Sequence, residues 1–148
     1  MCPEPQLTLT QTIIAKATAA LALLREGCEF VLIHVEGINE VSHDEDITAK
    51  IKAIEDSSEI LIRHLVETVP EDVILCVLSD HTTSCFLGDH TPDPTGILFW
   101  SKGPGMERDQ ATKFWENEFS KGALVKTAEK HVMPLLMGFM GRLKKLGA

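Results

Sequence analysis

An apolar run that ends in an acidic and an imidazole side chain constrains this chain more than any other sequence feature. Residues 73–79 are almost all apolar, and Asp80-His81 follows directly. A continuous apolar run of this length is typical of a strand that is buried on both faces. A second pair, Asp89-His90, lies nine residues further on in a stretch punctuated by prolines. Carboxylate and imidazole groups are ligands for zinc or manganese, so the pattern predicts a metal site after a buried strand.

A strand and a helix precede this run, and the three segments together predict a βαβ unit. Residues 30–35 read as a strand, residues 36–46 as an irregular polar stretch, and residues 47–68 as a helix with one apolar face. This order predicts parallel strands joined by a right-handed crossover. The carboxyl ends of parallel strands lie at one edge of the sheet, so we expect the two following loops to converge.

These loops carry the candidate metal ligands. Asn39 and His43 follow the first strand, Asp80 and His81 follow the second, and His90 lies in the next loop. Each also has a simpler interpretation, such as a solvated turn, a turn-shaping residue or a residue at a helix start. Three imidazoles and a carboxylate at one edge favour the metal site. Of the other three histidines, His34 lies in mid-strand and is predicted to be a hydrogen-bonded core residue, whereas His64 and His131 lie on helices without converging partners.

The rest of the chain reads as helices and one further strand. We predict a first helix at residues 10–26, a strand at 96–100 and a last helix at 132–146. Residues 110–118 read as either a short helix or an irregular surface segment. The expected fold class is α/β, a mostly parallel sheet with helices on both faces.

Length and charge limit the possible classes of protein. A chain of 148 residues can form a real core, and we predict a single domain over residues 1–148. The net charge of −8 argues against nucleic acid as a partner. We find no signal peptide and no apolar segment that could span a membrane. Four cysteines without a repeated spacing indicate reduced thiols in a cytoplasmic protein, with zinc ligation as the weaker alternative.

Two motifs give the chain a resemblance to a known family. Asp-His-Thr-Thr at residues 80–83 and Asp-His-Thr-Pro-Asp-Pro at 89–94, after the loop with His43, resemble archaeal-type cofactor-independent phosphoglycerate mutases. These enzymes belong to the alkaline phosphatase superfamily. The likeness is to their carboxyl-terminal part and covers nearly the whole chain. It implies an alkaline-phosphatase-like half domain, a phosphorylated small-molecule substrate, and two sites for divalent manganese, zinc or magnesium.

The resemblance also implies roles for individual residues. Asp80 and His81 would serve the metal that activates the nucleophile, and His43 and His90 would serve the other metal. Asn39 stands where the family has an aspartate. A neutral amide oxygen offers a divalent ion less charge than a carboxylate, so we expect the second site to be weakened.

The same resemblance implies a reaction for which this sequence lacks some parts. The family's serine nucleophile, a further metal carboxylate and the substrate-gripping insert belong to an amino-terminal segment without a counterpart here. Glu36 stands where the family has a lysine and would repel a phosphate. We therefore expect the metal-binding part of a glycolytic phosphoglycerate mutase, which interconverts 2- and 3-phosphoglycerate through a phosphoserine. We expect the chain alone to be inactive, and to be completed by an amino-terminal partner segment or a homo-oligomer.

Two alternatives stay open. The chain is a non-catalytic remnant of the fold that binds a partner, or a hydrolase of the same superfamily. Ser79, Thr82 and Thr83 border the Asp-His pair, but none has a convincing general base and orienting group of its own. The residues therefore predict a metal platform more strongly than they predict a nucleophile.

Overall fold

Residues 8–104, 106–124 and 126–143 are described by the computed structural model of this chain. They fall into two units. The first unit runs up to Val69 and also includes Thr83–Thr91, and the second contains Pro70–Thr82 and the residues from Pro92 onwards. The single domain over residues 1–148 stays a prediction.

The first unit begins with helix α1, Leu9–Arg25. Thr8 and Gln11 form a capping box, in which the Gln11 N–H donates to Thr8 Oγ1 at 3.3 Å and the Thr8 N–H donates to Gln11 Oε1 at 2.9 Å. After the C-cap Glu26, Gly27 has a φ of +92°, a left-handed conformation that favours glycine. The predicted first helix is therefore confirmed, with each end shifted by one residue.

Three consecutive helical segments form the predicted helix at residues 47–68: α3 (Ile47–Asp56), a π-helical segment (Ser57–Ile62) and α4 (Arg63–Thr68). Asp46 caps them by accepting the Ala49 N–H at 2.8 Å. Helix α1 packs against the π-helical segment and α4. The buried side chains of these helices form the core of the first unit: Ile13, Ala17, Ala20, Leu21, Ala53, Leu61 and Leu65.

The polar stretch at residues 36–46 was predicted to be irregular, and this is wrong. Gly37–His43 form helix α2, which packs against α3. Ser42 is buried and its hydroxyl donates to the Ile38 carbonyl at 2.7 Å. An isolated helix of this length is unstable in water, so packing against α3 stabilises a helix that its own sequence pattern does not predict.

The predicted strand at residues 30–35 is unpaired. Within the described part of the chain, these residues make no backbone–backbone hydrogen bond. Their burial still alternates as in a strand, since Val31, Ile33 and Val35 are half-buried while Phe30 and Leu32 are exposed. The core position predicted for His34 is wrong, because 67% of its side chain is exposed. The local pattern is therefore that of a strand, but the pairing that would make it one is missing.

The second unit contains an antiparallel pair of strands, β1 (Ile74–Leu78) and β4 (Ile97–Ser101), with Cys76 opposite Phe99. Both strands were predicted. The α/β class is confirmed, but the mostly parallel sheet is wrong for the described residues, which form two two-stranded sheets. A parallel pair needs the strand at residues 30–35 to take part in a ladder, and it does not.

Two helices complete the second unit. Helix α5 (Glu116–Phe119) is a single turn within an otherwise irregular segment. Helix α6 (Val132–Phe139) packs on β1, and the ring centroids of Phe139 and Phe99 lie 5.1 Å apart. The predicted continuation of α6 beyond Phe139 is wrong, because Gly141 at φ +67° ends the helix; residues 144–146 lie outside the described residues. Across the described ranges, no helix has both the length and the apolar character needed to cross a membrane.

Candidate metal centre

Helix α2 places two of the predicted ligands on one face. Asn39 and His43 are four residues apart, and side chains at this spacing lie one above the other on a helix. Both residues were predicted to lie in a loop. Their proximity is instead a property of the short helix that packing against α3 stabilises.

A two-stranded hairpin brings His90 to α2. Strand β2 (Thr82–Ser84) and strand β3 (Asp89–Thr91) pair, and the Gly88 N–H donates to the Ser84 carbonyl at 2.8 Å in the turn between them. Gly88 has a φ of +60°. A β-carbon there would lie 3.3 Å from the His43 carbonyl oxygen and 3.1 Å from a Glu45 carboxylate oxygen. Glycine therefore allows both the turn and its close approach to the end of α2.

The first unit brings together the rings of two predicted ligands, His43 and His90. Their ring centroids are 5.2 Å apart, and the ring planes are tilted by 42°. The Nδ1 atom of His43 lies 2.7 Å from the Gly88 carbonyl oxygen. Because a carbonyl can only accept, we assign the hydrogen to Nδ1, which leaves the Nε2 lone pair of the neutral ring for a metal. A metal-binding histidine is commonly oriented by such a bond to a backbone carbonyl.

Asn39 already serves as a hydrogen-bond acceptor. Its Oδ1 atom accepts the hydroxyl of Thr83 at 2.7 Å. Thr83 is only 6% exposed, and its carbonyl accepts a hydrogen bond from the ammonium group of Lys50 on α3. Sequence reasoning considered Thr83 only as a nucleophile and missed Lys50. Nothing in the local pattern indicates these contacts, since they join residues that are more than thirty positions apart in the sequence.

Asp80 and His81 belong to the second unit. The backbone N–H of His81 donates to Asp80 Oδ1 at 3.0 Å, and His81 Nε2 lies 3.6 Å from Asp80 Oδ2. The carboxylate is therefore beside its neighbouring imidazole, as the motif suggests. This geometry is local, because the two residues are adjacent in the chain.

The donor types fit a divalent metal, whereas the number of donors in each group is small. Within the residues that the structure describes, no three histidine, cysteine, aspartate or glutamate side chains lie close enough together to hold a metal ion. Zinc sites in proteins use three or four protein ligands. The assignment of Asp80, His81, His90, His43 and Asn39 as metal ligands therefore stays a prediction.

The cysteines of the described residues do not extend this ligand set. Cys28, Cys76 and Cys85 are free thiols. Burial raises the pKa of the Cys76 thiol, which disfavours the thiolate form that binds metals. Cys76 therefore acts as a small apolar side chain of β1.

Comparison with known proteins identifies the superfamily. The family model described as the metalloenzyme superfamily matches residues 6–138. The chain is 36% identical over 136 residues to 2,3-bisphosphoglycerate-independent phosphoglycerate mutase 1 of Methanocaldococcus jannaschii. The aligned residues make up 91% of this chain and 32% of that protein. The 2,3-bisphosphoglycerate-independent phosphoglycerate mutase of Pyrococcus furiosus is 33% identical over 136 residues, with the same two shares.

A solved structure agrees with these relatives. The structure of a protein from Pyrococcus horikoshii matches with a TM-score of 0.86 and 30% identity, over 95% of this chain and 42% of that one. The chain spans about a third of the length of the curated relatives it matches. The predicted resemblance to the archaeal mutases is confirmed, and the match of the family model includes all five predicted ligand positions. This chain belongs to the metalloenzyme superfamily.

Proposed function

We propose that this chain is the metal-binding part of a cofactor-independent phosphoglycerate mutase, which interconverts 2- and 3-phosphoglycerate in glycolysis in the cytoplasm. One observation carries the proposal: the ring centroids of His43 and His90 lie 5.2 Å apart, and the Gly88 carbonyl orients His43 with its Nε2 atom available for a metal. Support also comes from curated relatives named as phosphoglycerate mutases.

In this proposal the predicted ligands form two groups. His43 and His90 hold one divalent ion, with Asn39 as a neutral oxygen beside them. Asp80 and His81 hold the other, and the Asp80 carboxylate supplies the negative charge that an imidazole lacks. A bound manganese, zinc or magnesium ion stabilises negative charge on phosphoryl oxygens and lowers the pKa of an attacking hydroxyl.

The charge of the substrate and the origin of the nucleophile limit substrate binding and turnover by this chain alone. A chain with a net charge of −8 repels a phosphorylated substrate unless bound cations offset that charge. The phosphoserine forms on a serine from an amino-terminal segment, for which this sequence has no counterpart. Covalent catalysis needs its nucleophile, so we propose that the chain binds metal but does not turn over substrate by itself.

An amino-terminal partner segment, or a second copy of the chain, completes the protein in this proposal. Residues 30–35 support it, because within the described ranges they make no backbone–backbone hydrogen bond, and Leu32 is 77% exposed. An unpaired extended segment with apolar side chains accepts a strand from another polypeptide. The relatives are about three times as long as this chain, so they carry further chain that could supply such a strand.

Titration with zinc or manganese tests the metal proposal. His43→Ala should abolish binding at the His43–His90 pair, as measured by calorimetry. His64→Ala is the matched control, because His64 is an exposed histidine on α4 outside the proposed site. If His43→Ala and the unmodified chain bind zinc with equal affinity and stoichiometry, the proposed site is wrong.

The second candidate function is a non-catalytic member of the superfamily that acts by binding a partner. It is favoured by the absence of a three-ligand cluster in the described residues and by the hydrogen bond that Asn39 makes to Thr83. Such a protein binds its partner without any dependence on divalent metal. Retention of partner binding in His43→Ala, together with no turnover in any reconstituted complex, would favour this candidate over the mutase.

A further inference from the structure

We propose that Thr83 is a positioning residue for the His43–His90 pair, and that Asn39 and Lys50 act through it. We call the contacts of Thr83 with Asn39 and Lys50 the Thr83 clasp. The Thr83 clasp fixes the position of the hairpin of β2 and β3 on two helices, α2, which carries His43, and α3. Its effect on metal binding rests on the function proposed above, whereas its effect on the geometry of the two rings does not.

The hydroxyl contact selects one position of the hairpin. Thr83 is 6% exposed, and its Oγ1 atom donates to Asn39 Oδ1 at 2.7 Å. A buried hydroxyl without a partner costs free energy, so any displacement that breaks this bond is disfavoured. Asn39 is on the same face of α2 as His43, and the bond therefore attaches β2 to the helix face on which the metal-binding imidazole lies.

The Lys50 contact attaches the same residue to a second helix. The Lys50 ammonium group donates to the Thr83 carbonyl, and a hydrogen bond from a charged donor is stronger than one between neutral groups. Asn39 comes from α2 and Lys50 from α3. Two attachments from different helices restrict rotation of the strand as well as its displacement.

The other side of the hairpin is held by His43 itself. The His43 ring donates to the Gly88 carbonyl at 2.7 Å, two residues before His90. The hairpin is thus attached to the helices before its turn, at Thr83, and at the end of its turn, at Gly88. With both sides held, the path of β3 places the His90 ring beside His43. Release of the Thr83 side removes one of these two attachments, so the hairpin can pivot about the contact at Gly88.

A pair of variants at one position separates the hydroxyl from the packing. Thr83→Val keeps the shape of the side chain and removes the hydroxyl, whereas Thr83→Ser keeps the hydroxyl. In the metal-free full chain, we expect nuclear Overhauser contacts between the His43 and His90 rings in the unmodified protein and in Thr83→Ser, and their loss in Thr83→Val. Zinc affinity, measured by calorimetry, should fall roughly tenfold in Thr83→Val and be restored in Thr83→Ser, as for other groups that orient a metal ligand.

The outcomes distinguish the clasp from the proposed function. If Thr83→Val retains the ring contacts and the zinc affinity of Thr83→Ser, the clasp is refuted, even when His43→Ala shows that the metal site exists. If His43→Ala leaves zinc binding unchanged, the proposed function fails, and the ring contacts still decide the clasp. If Thr83→Val does not fold by circular dichroism, Lys50→Met replaces it: loss of the ring contacts supports the proposal, and their retention overturns it.

Discussion

The His43–His90 pair and the Asp80–His81 pair reach their geometry in different ways. His43 and His90 are far apart in the sequence and meet through a helix, a hairpin and a hydrogen bond to Gly88. Asp80 and His81 are neighbours in the chain, so their contact needs no tertiary structure. A pair that depends on several long-range contacts is stronger evidence for a built site than a pair that adjacency alone would produce.

The structural surroundings of the two pairs differ in the same way. In the first unit, α2 exists because it packs on α3, and the hairpin is attached to both helices through Thr83. In the second unit, Asp80 and His81 follow β1 outside any helix, with Asp80 exposed and His81 half-buried. The His43–His90 pair should therefore be lost when the packing of the first unit is damaged, whereas the Asp80–His81 pair should be insensitive to such damage.

The largest expected effect concerns turnover. On the proposed function, the purified chain should not interconvert 3- and 2-phosphoglycerate above the background rate, because the serine nucleophile is supplied by an amino-terminal segment. A coupled assay with manganese present measures this. Addition of the part of the Methanocaldococcus jannaschii relative that this chain does not match tests whether the proposed amino-terminal segment restores activity.

Substantial turnover by the chain alone would make the Asp80–His81 pair, and not the His43–His90 pair, the stronger candidate for a built site. The phosphoryl group would then be carried within the second unit, where Ser79 and Thr82 are the nearest candidates to the Asp80–His81 pair. Ser79→Ala and Thr82→Val would show which of them is the nucleophile. A phosphorylated peptide detected by mass spectrometry would give the same answer.

A core substitution in α1 should separate the two pairs. Ile13 is 0% exposed, and Ile13→Ala should lower the free energy of unfolding by about 3 kcal/mol, from lost apolar burial and the cavity that is left. Urea denaturation measures the change. Ile14→Ala is the matched control on the same helix, since Ile14 is 50% exposed and should cost about 0.5 kcal/mol or less.

The same variant tests the two histidine environments. At a urea concentration at which Ile13→Ala is half unfolded, the nuclear Overhauser contacts between His43 and His90 should weaken in proportion. The backbone contact from His81 to Asp80 should persist longer, because it joins adjacent residues. Equal loss of both contacts would show that the second pair also depends on tertiary packing.

Charge substitutions should change metal affinity in opposite directions at the two pairs. Asn39→Asp adds a carboxylate beside His43 and His90 and should tighten zinc binding there roughly tenfold, or about 1.4 kcal/mol. An aspartate can still accept the Thr83 hydroxyl, so the hairpin should stay in place. Asp80→Asn removes the only carboxylate of the second pair and should weaken its binding by a similar factor, as measured by calorimetry.

The control for these variants is a charge change outside both pairs, such as Glu116→Gln on α5. It alters the net charge by the same amount without touching a predicted ligand. An equal response in Glu116→Gln and Asp80→Asn would mean that the general field of the protein, and not ligation, changes the affinity.

The smallest expected effect is a pH dependence of stability in the second unit. Glu118 is 8% exposed, and hydrogen bonds from Lys121 and from the Thr112 backbone hold the pKa of its carboxyl below the usual value of 4.5. A lowered folded-state pKa contributes stability above pH 4.5, and this contribution is lost as the pH falls through the folded value. The stability difference between the unmodified chain and Glu118→Gln should therefore shrink below pH 4.5.

Glu59 in the first unit is the matched comparison. A hydrogen bond from Arg63 lowers the pKa of its carboxyl as well, but Glu59 is 62% exposed, so solvent and salt screen the pair. Glu59→Gln should have a smaller effect on stability, and one that vanishes in 1 M salt. A larger effect for Glu59→Gln than for Glu118→Gln in denaturation curves at pH 6 would contradict this explanation.

The signals that local sequence carries were sufficient for most helices and strands. The helix at residues 47–68 and the strands β1 and β4 were predicted because capping groups and apolar periodicity act within a few residues. The end of α6 was missed, although Gly141 is a local signal for the end of a helix. The two Asp-His motifs were also sufficient to predict the family resemblance that the comparisons confirm.

By itself, the sequence determined the bounds of α1 to within one residue, the helical stretch at residues 47–68, which runs are strand-like, and which residues are chemically suited to a metal. Only the tertiary structure decided that residues 37–43 are helical, that β1 pairs antiparallel with β4, and that His43 meets His90. It also decided that Asn39 accepts a hydrogen bond from Thr83. The physical reason is range: caps and periodicity act between near neighbours, whereas strand pairing and the Thr83 clasp depend on which distant surfaces are available to pack together.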